Sequence, residues 1–278
     1  MSAGTTIEWT EATFNPWWGC SRVSPGCVHC YAATTAKRYG HGELWRRHGE
    51  RRTFGEKHWA EPLKWNRQAE ERGRPVLVFC ASMADVFEDH PALPPERERL
   101  WELIEATPWL VWQLLTKRPE NAASMAPWTG AWPSNVWLGA SAENQRWADQ
   151  RVTELLAVPA AVRFLSCEPL VGPVDLDGPG HLDVKDGGAM IGWVIVGGES
   201  GARPRPMDLS WARSLVADCQ AAGLPVFVKQ LGTAWARGHS EEYTHPDLRA
   251  DFKAGNWESW PENLKVRELP RVLLPAAA

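Results

Sequence analysis

Six short runs of β-branched, aliphatic and aromatic residues, each ending in a polar turn, restrict what this chain can become. They are PVLVFCASMADVF from Pro75, WLVWQLLTKRP from Trp109, NVWLGASAEN from Asn135, AVRFLSCEPL from Ala161, WVIVGGESG from Trp193 and PVFVKQLG from Pro225. A continuous apolar run marks a strand covered on both faces, which is the condition of a parallel strand. Helix-spaced segments lie between them, including PPERERLWELIEAT after Leu93, SAENQRWADQRVTELLA after Ala140 and DLSWARSLVADCQAAG after Met207. Pro94 and Pro95 suit a helix opening, Ser141 and Asp208 suit caps, and Gly223 suits a helix end.

With TTIEWT as a first strand, the repeat predicts about seven βα units. The expected fold is a full or partial β/α barrel, TIM-like, of about six to eight parallel strands. An open doubly wound sheet is weaker, because no glycine-rich nucleotide fingerprint follows an early strand. The chain reads as a single domain over residues 1–278. It would carry a cysteine loop at 15–31, a basic insertion at about 40–59, a Gly/Asp-rich loop at Val174–Gly188 and a C-terminal wrap at about 231–278.

No window approaches 18 uninterrupted apolar residues and the N-terminus lacks a basic stretch followed by an apolar run, so a cytoplasmic protein with no membrane partner is expected. Six cysteines then argue for free thiols rather than a disulfide framework. Cys80, Cys167 and Cys219 are scattered and read as small buried residues. Cys20, Cys27 and Cys30 fall on one Gly/Pro/Ser-rich loop, NPWWGCSRVSPGCVHCYA, where three thiolates can converge and leave a fourth coordination position open.

Soft sulfur ligands select zinc, copper(I) or an iron–sulfur cluster. Against a cluster stand two alternatives: three cysteines gathered by chance, and a closed zinc site completed by a histidine elsewhere, with His29 badly placed to be that ligand. A four-iron cluster on three cysteines would keep one iron free for chemistry.

In a β/α barrel the loops after the strands face one cavity. The strand ends supply Ser82 and Asp85; Thr116, Lys117 and Arg118; Ser141, Glu143 and Asn144; Ser166, Cys167 and Glu168; Glu199 and Ser200; Lys229 and Gln230. Any one of these is commonly a helix cap or surface ion pair. Six polar ends in succession point to a site, with Lys117, Glu143, Glu168 and Lys229 as candidate catalytic groups. Gly197 and Gly198 would let a ligand approach the backbone, and Glu199 could accept from an ammonium or hydroxyl group. A hydrolytic site using Glu143, Glu168 or Glu199 as acid or base leaves the cysteine loop without a role.

The segments IEWTEATFNPWWGCSRVSPGCVHCYA, QLLTKRP, NVWLGASAEN, VRFLSCEPLVGPVDL, WVIVGGESGARPRPM and FVKQLG resemble, over nearly the whole chain, a phage-associated three-cysteine family of unknown function. That family is itself similar to radical S-adenosylmethionine enzymes, although six residues separate Cys20 from Cys27 here, where three are usual. The resemblance implies that Cys20, Cys27 and Cys30 hold a four-iron, four-sulfur cluster whose open iron chelates S-adenosylmethionine. Gly197, Gly198, Glu199, Ser141 and Asn144 would help to bind that cofactor. One-electron reduction by an unnamed partner would cleave the sulfonium and yield an adenosyl radical that abstracts a hydrogen atom.

The formal net charge is −4, yet Lys37 to His58 holds seven Lys or Arg against three Glu. That segment, with Trp45 and Trp59 interleaved, could contact phosphates and stack bases through Arg46, Arg47, Arg51 and Arg52, making a nucleic acid or nucleotide the expected substrate. A solvated charged face is the plainer reading. A second functional possibility is a nucleic-acid-binding or repair-associated protein with a structural zinc or cluster and no radical chemistry.

Overall fold

The computed structural model describes residues 5–177, 190–239 and 251–271. Seven strands form one sheet in sequence order: β1 (Ala12–Thr13), β2 (Val76–Cys80), β3 (Leu110–Thr116), β4 (Val136–Ser141), β5 (Val162–Cys167), β6 (Trp193–Gly197) and β7 (Val226–Gln230). Every neighbouring pair is parallel. No pairing joins β7 back to β1 among the described residues, so the sheet curls into a half-barrel, the partial form of the expected architecture.

Helices cross over between strands: α1 (Tyr31–Arg38), α2 (Glu56–Trp59) and α3 (Glu61–Glu71) before β2, and α4 (Pro94–Glu105) before β3. They are followed by α5 (Ala122–Met125), α6 (Gln145–Leu156), α7 (Leu209–Ala221) and α8 (Thr233–Gly238). Pro94 and Pro95 occupy the first turn of α4, where their missing N–H groups cost no helix bond. Asp208 caps α7 by accepting from Ser210 N at 2.8 Å. Ser141, expected as a cap, is instead the last residue of β4; Asn144 caps α6, accepting from Trp147 N.

Strand parity separates two cores. Val78, Leu114, Leu138, Leu165, Val194 and Val228 face the helices in the larger one. Leu77, Phe79, Val111, Trp137, Phe164, Trp193, Ile195 and Phe227 line the concave face, where Trp9 closes the aromatic layer. Trp193 centres it, with ring centroids 5.5–6.3 Å from Trp9, Trp137, Phe164 and Phe227. Both faces of the sheet are thus apolar, which is why the strand sequences do not alternate with polar residues.

Part of the C-terminal segment lies along β7. Val228 N donates to Val266 O and Glu268 N to Val226 O, each at 2.9 Å, so this sheet edge is occupied. The Gly/Asp-rich loop and the final residues fall mostly outside the described residues. No helix among the described residues is long and apolar enough to cross a membrane.

Candidate functional site at the mouth of the half-barrel

Above the aromatic floor, the concave parity of β3, β4, β5 and β7 continues into Lys117, Ser141, Ser166, Glu168 and Lys229. The cysteine loop lies over these strand ends and is stitched to four of them. Met83 N, after β2, donates to Asn15 Oδ1 at 2.7 Å, and Gly19 N donates to Met83 O at 3.0 Å. Arg118, after β3, donates to Ser21 O and Ser21 Oγ at 2.9 Å. Ser24 Oγ donates to Glu143, after β4, at 2.6 Å, while His29 Nδ1 lies 2.9 Å from Glu199 Oε2, after β6.

Cys20, Cys27 and Cys30 are half-buried, whereas Cys80, Cys167 and Cys219 are fully buried. Burial alone therefore distinguishes the triplet. Cys30 occupies the N-cap of α1, and Cys27 Sγ lies 3.8 Å from Ser24 Oγ. Cys20 meets the densest charge network. Arg118 Nη1 approaches its sulfur to 3.7 Å while pairing with Asp85 at 2.9 Å, and Glu88 accepts from Ser21 N and Ser21 Oγ. Burial and the Asp85 carboxylate push the Cys20 thiol up, against the pull of Arg118.

Among the described residues, no three His, Cys, Asp or Glu side chains are drawn close enough together to hold a metal ion. By residue type the loop offers a soft donor set, three half-buried cysteines with a guanidinium N–H of Arg118 toward the Cys20 sulfur, of the kind that thiophilic metals take.

The predicted rim residues are engaged in pairs. Lys117 Nζ donates to Ser141 Oγ at 2.7 Å and lies 3.5 Å from Glu143. Glu143 is fully buried and also accepts from Arg151 at 2.8 Å. Burial alone would raise its pKa, but Lys117, Arg151 and the Ser24 hydroxyl outweigh that and hold its carboxyl below the ordinary range. Glu168 and Lys229 form a 2.6 Å ion pair with side chains 18% and 13% exposed, so both partners keep some contact with the concave rim. Ser166, beside Ser141 in the β4–β5 register, makes no side-chain hydrogen bond to a described residue.

Other predicted site residues are already engaged within the protein. Gly197 and Gly198 do not offer open backbone to a ligand. A Cβ at Gly197 would lie 3.2 Å from Glu168 Cγ, and one at Gly198 would lie 2.2 Å from Leu231 O. The Glu168 side chain passes over Gly197 on its way to Lys229.

Glu199 is likewise taken. Arg205 holds both of its oxygens, through the guanidinium and the backbone N–H, and His29 supplies a third contact. Burial opposes ionisation, but these donors keep its carboxyl below the ordinary range. It fastens the cysteine loop rather than awaiting an ammonium group. Asn144 serves as a helix cap.

The basic segment also divides. Arg46, Arg47 and Arg52 are exposed, but Arg51 is 7% exposed and cannot reach a phosphate. It makes a two-pronged pair with Glu88 at 2.9 Å and donates to Leu44 O and Gly49 O. Trp59 is buried against Phe14 and cannot stack a base.

Sequence reasoning missed Arg151, Arg205, Glu88 and Ser24. Arg205 lies between prolines in GARPRPM, six residues after Glu199, a position that could have suggested a partner for it. Arg151 has no such signal, because its helix gives no reason to bury a cation until Glu143 is seen beneath it.

Comparison with curated proteins and with solved structures returned no match. A family model matches residues 4–261, and the chain belongs to that family, described as Protein of unknown function (DUF5131).

Proposed function

We propose that this is an iron–sulfur enzyme of the radical S-adenosylmethionine type, as its likeness to the phage-associated three-cysteine proteins implies. The observation that carries the reading is the contrast among its cysteines: only the three on the strand-end loop are less than fully buried, and that loop is pinned over the concave rim. Cys20, Cys27 and Cys30 would hold a four-iron, four-sulfur cluster. When bound, it would supply one-electron reduction of the S-adenosylmethionine sulfonium.

The chain's own groups have separate tasks. Arg118 orients Cys20 and offsets negative charge at its sulfur. His29, Glu199 and Arg205 lock the loop at β6. Glu168 and Lys229 present a carboxylate and an ammonium on the rim, a complement to the amino and carboxylate groups of a methionyl moiety. Lys117 and Ser141 offer donors to a hydroxyl or ring nitrogen, and the aromatic floor keeps water from below.

Anaerobic purification of the parent and of single Cys→Ser variants tests the assignment. Iron and sulfide should disappear in the variants at 20, 27 and 30 and persist in those at 80, 167 and 219. Stoichiometric zinc without iron in the parent would replace the reading with a structural metal site.

A further inference from the structure

The surface beside the cysteine loop has a composition that the proposed centre does not use. Four of the large apolar side chains left exposed, Val23 (37%), Val28 (48%), Tyr31 (50%) and Tyr39 (69%), lie on the loop and α1. The basic segment is laced to that loop: Trp18 and Arg52 exchange backbone hydrogen bonds at 2.8 and 2.9 Å, and Cys20 N donates to Leu44 O at 3.2 Å. His41 N in turn bonds to Ala36 O at the end of α1. The expected insertion is therefore a strap continuous with the loop and helix.

These three segments expose Arg22, Lys37, Arg38, Arg46, Arg47 and Arg52, opposed locally by exposed Glu43 and Glu50. The rest of the chain is net acidic, so positive charge is concentrated here. The Arg52 guanidinium also lies 5.1 Å from the Trp18 ring centroid and 5.4 Å from that of Phe54, cation–π contacts that help to position it.

We infer that the loop, α1 and the strap form a docking surface for a single-stranded nucleic acid, whose phosphates meet the arginines and whose bases stack on Tyr31 and Tyr39. Exposed rings among spaced cations suit a strand that carries an aromatic base beside every phosphate better than an acidic protein surface, whose charges are not each accompanied by an aromatic ring. A strand held there runs beside Cys20 and Cys30. The inference adds a partner to the proposed centre and stands on different residues.

Fluorescence anisotropy with a labelled oligothymidylate of about 20 nucleotides, longer than the roughly 4–16 nucleotides of a typical single-strand groove, tests it. Titrations between roughly 50 and 200 mM salt should give a log–log slope near about −4 if six phosphates are neutralised. The triple variant R46A/R47A/R52A should bind about tenfold or more weakly, with a slope shallower by about 2. Tyr39→Ala should weaken binding about fivefold with the slope unchanged.

A second triple variant, K64A/R67A/R72A around α3, removes the same charge elsewhere and should bind like the parent. Absence of salt-dependent binding by the parent would overturn the inference, as would equal loss in the two triple variants. Displacement by polyglutamate at matched charge would assign the surface to an acidic protein instead and also overturn it. Iron and sulfide measured on the same preparations keep this result apart from that for the cluster, since none of the substituted residues carries a thiol.

Discussion

The floor and the rim of the half-barrel are built from the same strands and obey opposite rules. On the floor, Trp9, Phe79, Trp137, Phe164, Trp193 and Phe227 fill the concave face with apolar area, so its contribution lies in packing. On the rim, each charge is held by another: Lys117 by Glu143, Glu168 by Lys229, Arg118 by Asp85 and Glu199 by Arg205. Buried ion pairs add little net stability but are costly to break. The floor thus holds the fold together, and the rim fixes where side chains and the cysteine loop stand.

The largest test of that contrast is Trp193→Ala, which should cost about 3–5 kcal/mol in denaturant unfolding while leaving the loop's attachments chemically intact. A cost near that of a surface substitution would show that the aromatic layer is not the core described here.

Next come the two adjacent glycines. Gly198→Ala sets a methyl group against a backbone carbonyl and should cost about 1–3 kcal/mol. Gly197→Ala meets only the Glu168 side chain, which can move, so its cost should be under about 1 kcal/mol. Equal costs would contradict the distinction between a movable side chain over Gly197 and fixed backbone over Gly198.

Acid unfolding sharpens the rim further. Glu143 and Glu199 have folded pKa values below their ordinary ones, so their stabilisation is complete above the ordinary carboxylate range and is lost as pH falls through the lowered folded values. Glu143→Gln should flatten that acid limb of a stability-versus-pH curve; an unchanged limb would remove Glu143 from the account. The smallest effect belongs to R46A/R47A, exposed on the strap, which should shift stability by less than about 0.5 kcal/mol.

The strands were legible because two covered faces leave an unbroken apolar run, and the rim was legible because polar residues ending such runs share one edge. What could not be read was which polar residue answers which. Arg51 looks like a surface cation until Glu88, 37 residues away, is folded beneath it. Gly197 and Gly198 look like a ligand cradle until Glu168 and Leu231 arrive from other elements. Ser141 and Asn144 are both plausible caps, and only the strand's end decides between them. The cysteine loop was recognisable by spacing, but its fastening through Ser24, His29 and Arg118 depends on contacts up to 170 residues apart.

The proposed function requires that the loop on the rim carry a cluster with an open iron. Electron paramagnetic resonance of the anaerobically purified, reduced protein, recorded with and without S-adenosylmethionine, addresses it directly. The expected result is the signal of a reduced four-iron cluster that changes when the cofactor is added. A signal indifferent to the cofactor, or a protein containing zinc and no iron, would contradict it.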